Sequence, residues 1–471
     1  MLKRLTAILM VLILVLSCAG IGEAASYKRL KKGSRGSEVK TLQTALKEQG
    51  YYSGKIDGVY GKSTVNAVKA FQKKNGLKAD GIAGPLTQEK LYAAAGNAAE
   101  EETPAAATPE PSGTEPKAVV PDDATAYLQS IAKNCGAACG TVVLSRNGTT
   151  FLTWSFGGVD ENTCFRIASI TKWVTAIGLM TLYDQGKLDL DKDISSYLGF
   201  KVRNPAFPNT PITARMLLSH TSSLSPNASE YHPDWAKIGK NGYDPIFDES
   251  VEPGTMYAYA DYNGALFGCL IEAISKQSVQ HYMDQKVFGP LGLTAAYSPK
   301  FLPSGTACKD LLKANGTVDI SVQKDRSRTY NNKADPKGNN GYTVGKLYIN
   351  AASLTKLAQM MYYGGELNGV RILRASTVNL MEADQPGLAE SRYGLGIVRL
   401  YQFDRGTWYG HQGRYSGLSS NIYYQRETGI TMALILDGYQ QQVQDNIVTP
   451  AVSILTNMEK IEQICLGTTE N

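Results

Sequence analysis

Apolar residues recur along this chain in more than one rhythm. Val39, Leu42 and Leu46, then Val65, Val68 and Phe71, return every three or four positions and predict short amphipathic helices near the start. Residues 140–145, Gly-Thr-Val-Val-Leu-Ser, form a compact strand-like run followed by the turn dipeptide Asn147-Gly148. A longer helical pattern covers 169–185, with Trp173, Val174, Ile177, Met180 and Leu182, and Gly186 stops it. Near the end, 421–425 and 430–436 predict two strands joined by a turn at 427–429, and 443–458 predicts a final helix. Strands at both ends with helices between them imply an antiparallel sheet flanked by helices, an α+β plan.

The apolar run at 5–16 follows Met-Leu-Lys-Arg and precedes small residues around Ala24 and Ala25. A charged start, a short apolar run and a small-residue exit predict a secretory signal peptide over 1–25. Crossing a bilayer takes about 20 apolar residues. This run is shorter, so no transmembrane helix is expected in the mature chain. Val15-Leu16-Ser17-Cys18 offers a second exit, because it resembles a lipobox and implies a lipid anchor on Cys18.

An internal echo lies within 27–92. Asp57-Gly58-Val59-Tyr60-Gly61-Lys62-Ser63-Thr64 matches Asp80-Gly81-Ile82-Ala83-Gly84-Pro85-Leu86-Thr87 at Asp, both Gly and Thr. Each copy reads as a tight turn into a helix, with Gly supplying positive backbone angles and Thr capping the helix or bracing the loop. A small three-helix unit follows. It carries 14 Lys and Arg against 5 Asp and Glu, whereas 93–471 carries 32 against 37, so the basic end suits an anionic surface. Between them, 93–123 turns to Ala, Pro, Glu and Thr, with Pro104, Pro109, Pro111, Pro116 and Pro121, a composition that reads as an extended linker. The remainder is a domain over 124–460 with a tail at 461–471.

At 471 residues, 43% hydrophobic and 19% charged, the chain is composed as a folded protein of more than one domain, neither disordered nor fibrous. Removing Cys18 with the leader leaves Cys135, Cys139, Cys164, Cys269, Cys308 and Cys465, an even number that permits disulfides without fixing their pairing. Their placement does not form a zinc quartet, and no metal or cofactor is expected.

Ser-x-x-Lys puts a hydroxyl and an amine one helical turn apart, which acyl transfer can use if the lysine accepts the serine proton. The spacing occurs five times, at Ser37/Lys40, Ser130/Lys133, Ser169/Lys172, Ser321/Lys324 and Ser353/Lys356. Only Ser169 opens the apolar helix, where the helix dipole favours negative charge on an attacking oxygen and burial would lower the Lys172 pKa. The bland reading of the same segment is a capping serine and a surface lysine.

Phe165-Arg166-Ile167-Ala168-Ser169-Ile170-Thr171-Lys172 resembles the active-site opening of the serine beta-lactamase-like and penicillin-binding family. Leu217-Leu218-Ser219-His220-Thr221-Ser222-Ser223-Leu224 is similar to the family's Leu-Leu-x-His-Thr-Ser-Gly-Leu, with Ser223 in place of Gly. Pro253-Gly254-Thr255-Met256-Tyr257-Ala258-Tyr259-Ala260-Asp261 resembles the stretch ending in Tyr-x-Asn, with Asp261 where the family has Asn. His411-Gln412-Gly413 resembles the strand motif that varies between Lys-Thr-Gly and His-x-Gly. The likeness covers about 125–458. Residues 27–92, with Leu42-Gln43, Gly50-Tyr51-Tyr52 and Phe71-Gln72, resemble a peptidoglycan-binding domain whose motif residues here are Asp57, Gly58, Tyr60, Gly61, Asp80 and Gly81.

The resemblance implies an α+β domain with a helical subdomain, Ser169 as nucleophile, and Lys172 and Tyr259 sharing the proton transfers. It implies His411 as a donor or positive charge near the substrate carboxylate or the tyrosine. The oxyanion site would be the N–H groups of Ser169 and Arg414, beside Gly413. Asp261 would hold Lys172 charged or change the carbonyl that is bound. His220 reads as loop bracing, and His232 and His281 have no catalytic context. The expected function is an exported, wall-bound D,D-carboxypeptidase-like hydrolase. The alternatives are a class C-like beta-lactamase, an esterase or D-aminopeptidase, or a non-catalytic wall-binding or beta-lactam-sensing protein. Peptidoglycan and beta-lactams are the expected partners, with no nucleic acid.

Overall fold

The computed structural model describes residues 30–75, 79–84, 87–88 and 91 of a first unit. It describes 122–226, 246–320, 334, 341–385, 393–401, 406–438, 443–444 and 447–466 of a second. The leader, Cys18 and nearly all of the linker lie outside the described residues.

In the first unit, α1 (Ser37–Glu48) and α2 (Lys62–Lys74) pack through Val39, Leu42, Leu46, Val68 and Phe71, the positions set by the helical rhythm. Most of the third helix lies outside the described residues. The internal echo has a physical cause. Gln43 Oε1 accepts from Gly58 N at 2.9 Å, and its Nε2 lies within hydrogen-bond reach of Asp57 Oδ1, Val59 O, Thr64 Oγ1 and Tyr52 Oη. Gln72 repeats the clamp on Gly81 N, Asp80 Oδ1, Ile82 O and Thr87 Oγ1. Each Asp caps the N–H two residues on, and Gly58 and Gly81 have φ of 71° and 75°. The threonines therefore brace the loops, and the N-cap of α2 is Gly61 with no side-chain bond. Tyr60 is buried and donates to Gly81 O. These motif residues build turns.

The second unit opens with α3 (Asp122–Asn134), β1 (Cys139–Arg146) and β2 (Thr149–Phe156). Then follow β3 (Phe165–Arg166), α4 (Ile170–Asp184), α5 (Ser195–Leu198), α6 (Ala214–Leu218), α7 (Asp261–Ser275) and α8 (Val279–Met283). Next come β4 (Ala295–Ala296), α9 (Tyr342–Gly345), β5 (Tyr348–Ile349), α10 (Ala351–Tyr362), the hairpin β6 (Glu366–Leu367) and β7 (Val370–Arg371), and α11 (Ala375–Glu382). The chain returns through β8 (Val398–Leu400), β9 (Trp408–Tyr415), β10 (Leu418–Gln425) and β11 (Ile430–Asp437).

The main sheet has the order β2-β1-β11-β10-β9-β8 and is antiparallel throughout. Its first and last strands in chain order pair, with Cys139 opposite Asp437. Strands β1, β10 and β11 are buried on both faces. Val143, Ala433 and Ile435 face a core shared with α4, α7 and α10, and Val142, Leu144, Met432 and Leu434 face a second core with α3 and the C-terminal helices. Two buried faces explain the apolar runs of β1 and β11, whereas β10 buries Ser419, Ser420 and Asn421 along with its apolar residues. At the β1–β2 turn Asn147 and Gly148 have φ of 49° and 82°, as the sequence predicts for a tight hairpin.

The final helix differs from the expectation of 443–458. Val443–Gln444 (β12) pairs antiparallel with Ile447–Val448 (β13), and α12 runs only from Thr449 to Thr456. Pro450 belongs in a first helical turn, because its ring and missing N–H break a helix interior. A further helix, α13 (Met458–Leu466), continues through residues read as a tail, with Ile461 buried.

Candidate active site

The turn between β3 and α4 is fixed before the helix begins. Ile167 N donates to Leu347 O at 2.9 Å, and Thr171 Oγ1 accepts from Leu347 N at 3.1 Å. Ala168 adopts φ 49°, a left-handed conformation that costs a non-glycine residue about 1–2 kcal/mol. That strain sits immediately before Ser169, the N-cap of α4. The helix behind it is buried from Ile170 to Leu182, so the nucleophile candidate stands on a rigid support.

One turn on, the Lys172 side chain is wholly inaccessible to solvent. Its Nζ donates to Ser169 Oγ at 3.0 Å and Val344 O at 2.8 Å and pairs Asp261 Oδ1 at 2.7 Å. An ammonium has three protons, and each has a partner. Burial alone would lower its pKa, but Tyr259 and Asp261 outweigh burial and hold Lys172 above the ordinary lysine value. The sequence expectation of a lowered pKa is thereby corrected, because Tyr259 and the Asp261 carboxylate together outweigh what burial penalises. Gly264 on α7 makes room for the lysine stem, since a methyl group there would lie 2.8 Å from Lys172 Cγ.

Tyr259 lies with its ring centroid 5.3 Å from Lys172 Nζ and its hydroxyl buried without a hydrogen bond of good geometry. His220 stacks on it at 4.3 Å. His220 Nδ1 accepts from Ala260 N at 3.1 Å and lies 2.9 Å from Asn263 Nδ2, while Ser222 Oγ donates to Asn263 Oδ1 at 2.6 Å. The loop after α6 therefore holds the tyrosine in place, as its bracing reading implies. Ser223, where the family has Gly, keeps φ 59° and accepts from Asn204 Nδ2 at 3.0 Å.

His411 contrasts with its expected role as a donor or positive charge. Its Nδ1 lies 2.6 Å from Gln412 O, which can only accept, so Nδ1 carries the proton and Nε2 accepts from Tyr393 Oη at 2.6 Å. Burial pushes its pKa down to about 3, with the Lys172 charge adding to the effect against the bond to Gln412 O. His411 is thus neutral, with both nitrogens engaged.

Gly413 and Arg414 lie on β9 beside Ser169. A methyl group on Gly413 would lie 2.2 Å from Ile167 O, 2.5 Å from Ser420 Oγ and 3.1 Å from Ser169 N. Glycine alone permits that approach. Tyr415 and Leu418 close a two-residue turn, so Arg414 falls at a non-hydrogen-bonded pair with Ser419 and its N–H faces away from β10. Strand β8 pairs β9 only as far as Gly410.

The structure brings together Ser169, Lys172, Tyr259 and Asp261, sets Gly413 against Ser169, and joins His411 to them through the aromatic cluster. Sequence reasoning missed Tyr393, Asn263 and Gly264. The signal for Tyr393 lies in its neighbours, Gly394 and Gly396, where added methyl groups would lie 2.0 Å from Met381 O and 2.4 Å from Ala176 Cβ. Such glycines mark a close approach. No group of three or more His, Cys, Asp and Glu able to hold a metal occurs among the described residues, and none of their helices is long and apolar enough to cross a membrane.

Comparison with known proteins gives the family of both units. A beta-lactamase family model matches residues 124–451, and a putative peptidoglycan binding domain model matches 35–91. Penicillin-binding protein 4 of Amycolatopsis lactamdurans is 26% identical over 294 residues, 59% of this chain and 74% of its own length. A spore cortex-lytic enzyme of Bacillus cereus is 44% identical over 72 residues, 15% of this chain and 28% of its own. The solved D-amino acid amidase of Ochrobactrum anthropi SV3 superposes with a TM-score of 0.52 at 20% identity, covering 73% of this chain and 99% of that one. This chain belongs to the beta-lactamase family of serine hydrolases and carries a peptidoglycan-binding domain ahead of its hydrolase domain.

Proposed function

We propose that this chain is an exported, wall-associated hydrolase that acts through an acyl-enzyme on D-Ala-D-Ala-type stem peptides of peptidoglycan, in the manner of a D,D-carboxypeptidase. The observation that carries the reading is the closed set of Ser169, Lys172 and Asp261, with Tyr259 beside it and Gly413 of β9 against Ser169, next to the stretch of β9 beyond its pairing with β8. An extended peptide lies along such a stretch by main-chain pairing. The N–H groups of Ser169 and Arg414 then hold the carbonyl oxygen as it gains charge. Lys172 first sheds a proton through Asp261, whose carboxylate is 46% exposed and reaches solvent. The neutral amine takes the Ser169 proton as Oγ attacks, and Tyr259 passes a proton to the departing D-alanine amine. Water hydrolyses the ester along the same path. The basic first unit and the leader-like 1–25 support wall tethering after export, which raises the local concentration of stem peptides. Tethering to the wall favours a substrate fixed there over a diffusing beta-lactam.

One observation favours a second reading, a hydrolase of D-amino acid amides or amino-terminal D-residues. His411 is neutral and fully engaged, so it supplies no charge for a substrate carboxylate, while the exposed carboxylate of Asp261 suits a substrate amine. The full chain is incubated with a peptide ending in D-Ala-D-Ala, a chromogenic cephalosporin, a D-amino acid amide and a short-chain ester. Release of D-alanine, lost in Ser169→Ala, is the expected result. Turnover of the amide alone selects the second reading, and rapid cephalosporin turnover without D-alanine release overturns both. Failure of every reagent to acylate Ser169 leaves a non-catalytic wall-binding protein.

A further inference from the structure

Six cysteines lie among the described residues as thiols, and two of them stand directly opposite each other. Cys164 N donates to Ala307 O at 2.8 Å and Lys309 N donates to Cys164 O at 2.9 Å, the pattern of a parallel bridge that pairs Cys164 with Cys308. Paired residues on adjacent strands point to one face, and strand spacing of about 4.8 Å falls within the Cα separations of about 4.4–6.8 Å that disulfides use. We propose that Cys164 and Cys308 are a disulfide site, and that the bond clamps segment 307–319 across the two walls of the active site.

The clamp has consequences because of where its ends lead. Cys164 precedes β3, five residues before Ser169. From Cys308 the chain crosses the end of the main sheet, where Leu312 N donates to Asp437 Oδ2 at 2.9 Å, and meets the β9–β10 turn, where Gly417 N donates to Leu312 O at 2.9 Å. A methyl group on Gly417 would lie 2.6 Å from Leu312 O, so this contact is tight. The segment thus joins the chain just before β3, which leads into the nucleophile turn, to the turn that follows the strand carrying Gly413 and Arg414.

Access sets the order of the chemistry. Cys164 is fully buried, and burial with the neighbouring Cys308 pushes its thiol up to about 12, whereas Cys308 is half-buried. The oxidant is a disulfide compound. The Cys308 thiolate attacks it and releases one of its thiols, forming a mixed disulfide. Cys164 then gives up its proton and displaces the second thiol. The two protein thiols lose two electrons and two protons, and the oxidant disulfide becomes two thiols.

The full chain is incubated with oxidised glutathione, digested without reduction and mapped by mass spectrometry. A peptide pair linking Cys164 to Cys308 is expected, with a melting temperature that falls by about 5–10 °C on reduction. Cys308→Ser lowers the melting temperature and abolishes its response to reductant, while Cys465→Ser keeps the linked pair. Recovery of Cys164 and Cys308 in separate alkylated or glutathionylated peptides overturns the proposal, as does a link from either one to another cysteine. The map on the unmutated chain decides the matter even if a variant fails to fold, and it does not depend on the substrate.

Discussion

Lys172 and Asp261 form an ion pair of 2.7 Å in which the ammonium is wholly buried and the carboxylate is about half exposed. The pairing leaves Lys172 charged at neutral pH, so any step in which it acts as a base waits for a proton to leave. The folded pKa is raised, with the phenol of Tyr259 and the carboxylate of Asp261 overcoming burial. The pair's stabilisation is therefore present below the ordinary lysine pKa and is lost as pH rises through the folded value. Asp261→Asn removes the negative charge but keeps an acceptor. The pH at which acylation of Ser169 rises then moves downward, measured with a fluorescent penicillin. Asp261→Ala also removes the acceptor. Breaking a fully buried pair costs about 3–5 kcal/mol, and the exposure of Asp261 reduces this to about 1–2 kcal/mol in denaturant unfolding. An unchanged profile in Asp261→Asn counts against Lys172 as the base.

The two buried histidines give a different pH signature. His411 is pushed down to about 3 by burial, and His220 is driven well below its ordinary value by burial and the Lys172 charge. Acylation is therefore expected to show no histidine step between pH 5 and 8. Stability behaves otherwise. An unfolded histidine binds a proton near pH 6.5 and the folded one does not, so stability is full above 6.5 and falls as pH drops toward 3, by up to about 1.4 kcal/mol per unit for each histidine. Asp437, pushed up to about 6 chiefly by burial, opposes this trend. The difference between the unmutated chain and His411→Asn isolates one histidine. The gap in unfolding free energy is predicted to narrow on acidification from pH 6.5 to 5, and a constant gap contradicts the neutral assignment.

The sequence pattern located the elements that depend on local rhythm. The helix behind Ser169 and the strands around 421–425 and 430–436 were legible because burial of one or both faces writes itself into the spacing of Trp173, Ile177, Met180, Ile422 and Ile435. The start of the final helix is not legible at 443, because an apolar stretch of strand and helix shares one composition and the helix begins only at Thr449, with Pro450 in its first turn. Ser169 was legible through the helix that it opens. The charge state of Lys172 was not, because its partners Asp261 and Val344 are far away in sequence and near only in the fold. The pairing of Tyr393 with His411 is hidden for the same reason, although Gly394 and Gly396 mark the close approach beside it. Its hydroxyl meets His411 through a turn built on glycines, and no spacing rule joins those positions.

Gly413→Ala tests the approach of β9 to the nucleophile turn. The added methyl group meets Ile167 O at 2.2 Å and Ser420 Oγ at 2.5 Å, and Ser420 Oγ already donates to Ile167 O at 2.8 Å. Backbone must move, and the space beside Ser169 N is the first to change. If that N–H supports the oxyanion, the loss is about 2.7–4 kcal/mol of transition-state stabilisation, or roughly 100- to 1000-fold in acylation rate. A variant that melts normally yet acylates at the unmutated rate argues against this edge as the oxyanion wall.

The wall-binding unit offers a test of its own. Gln43 holds Gly58 N through Oε1 and reaches Asp57, Val59, Thr64 and Tyr52 through Nε2, so one side chain fixes a whole turn. Gln43→Ala leaves a buried backbone N–H and several acceptors without their partner. Each such group costs about 1–3 kcal/mol. A unit of this size has little stability in reserve. The variant is expected to lose cosedimentation with insoluble peptidoglycan while still acylating Ser169 on soluble substrate, and Gln72→Ala is expected to behave alike. Retained sedimentation in both variants means that the turns shaped by Asp57-Gly58 and Asp80-Gly81 are not what the wall requires.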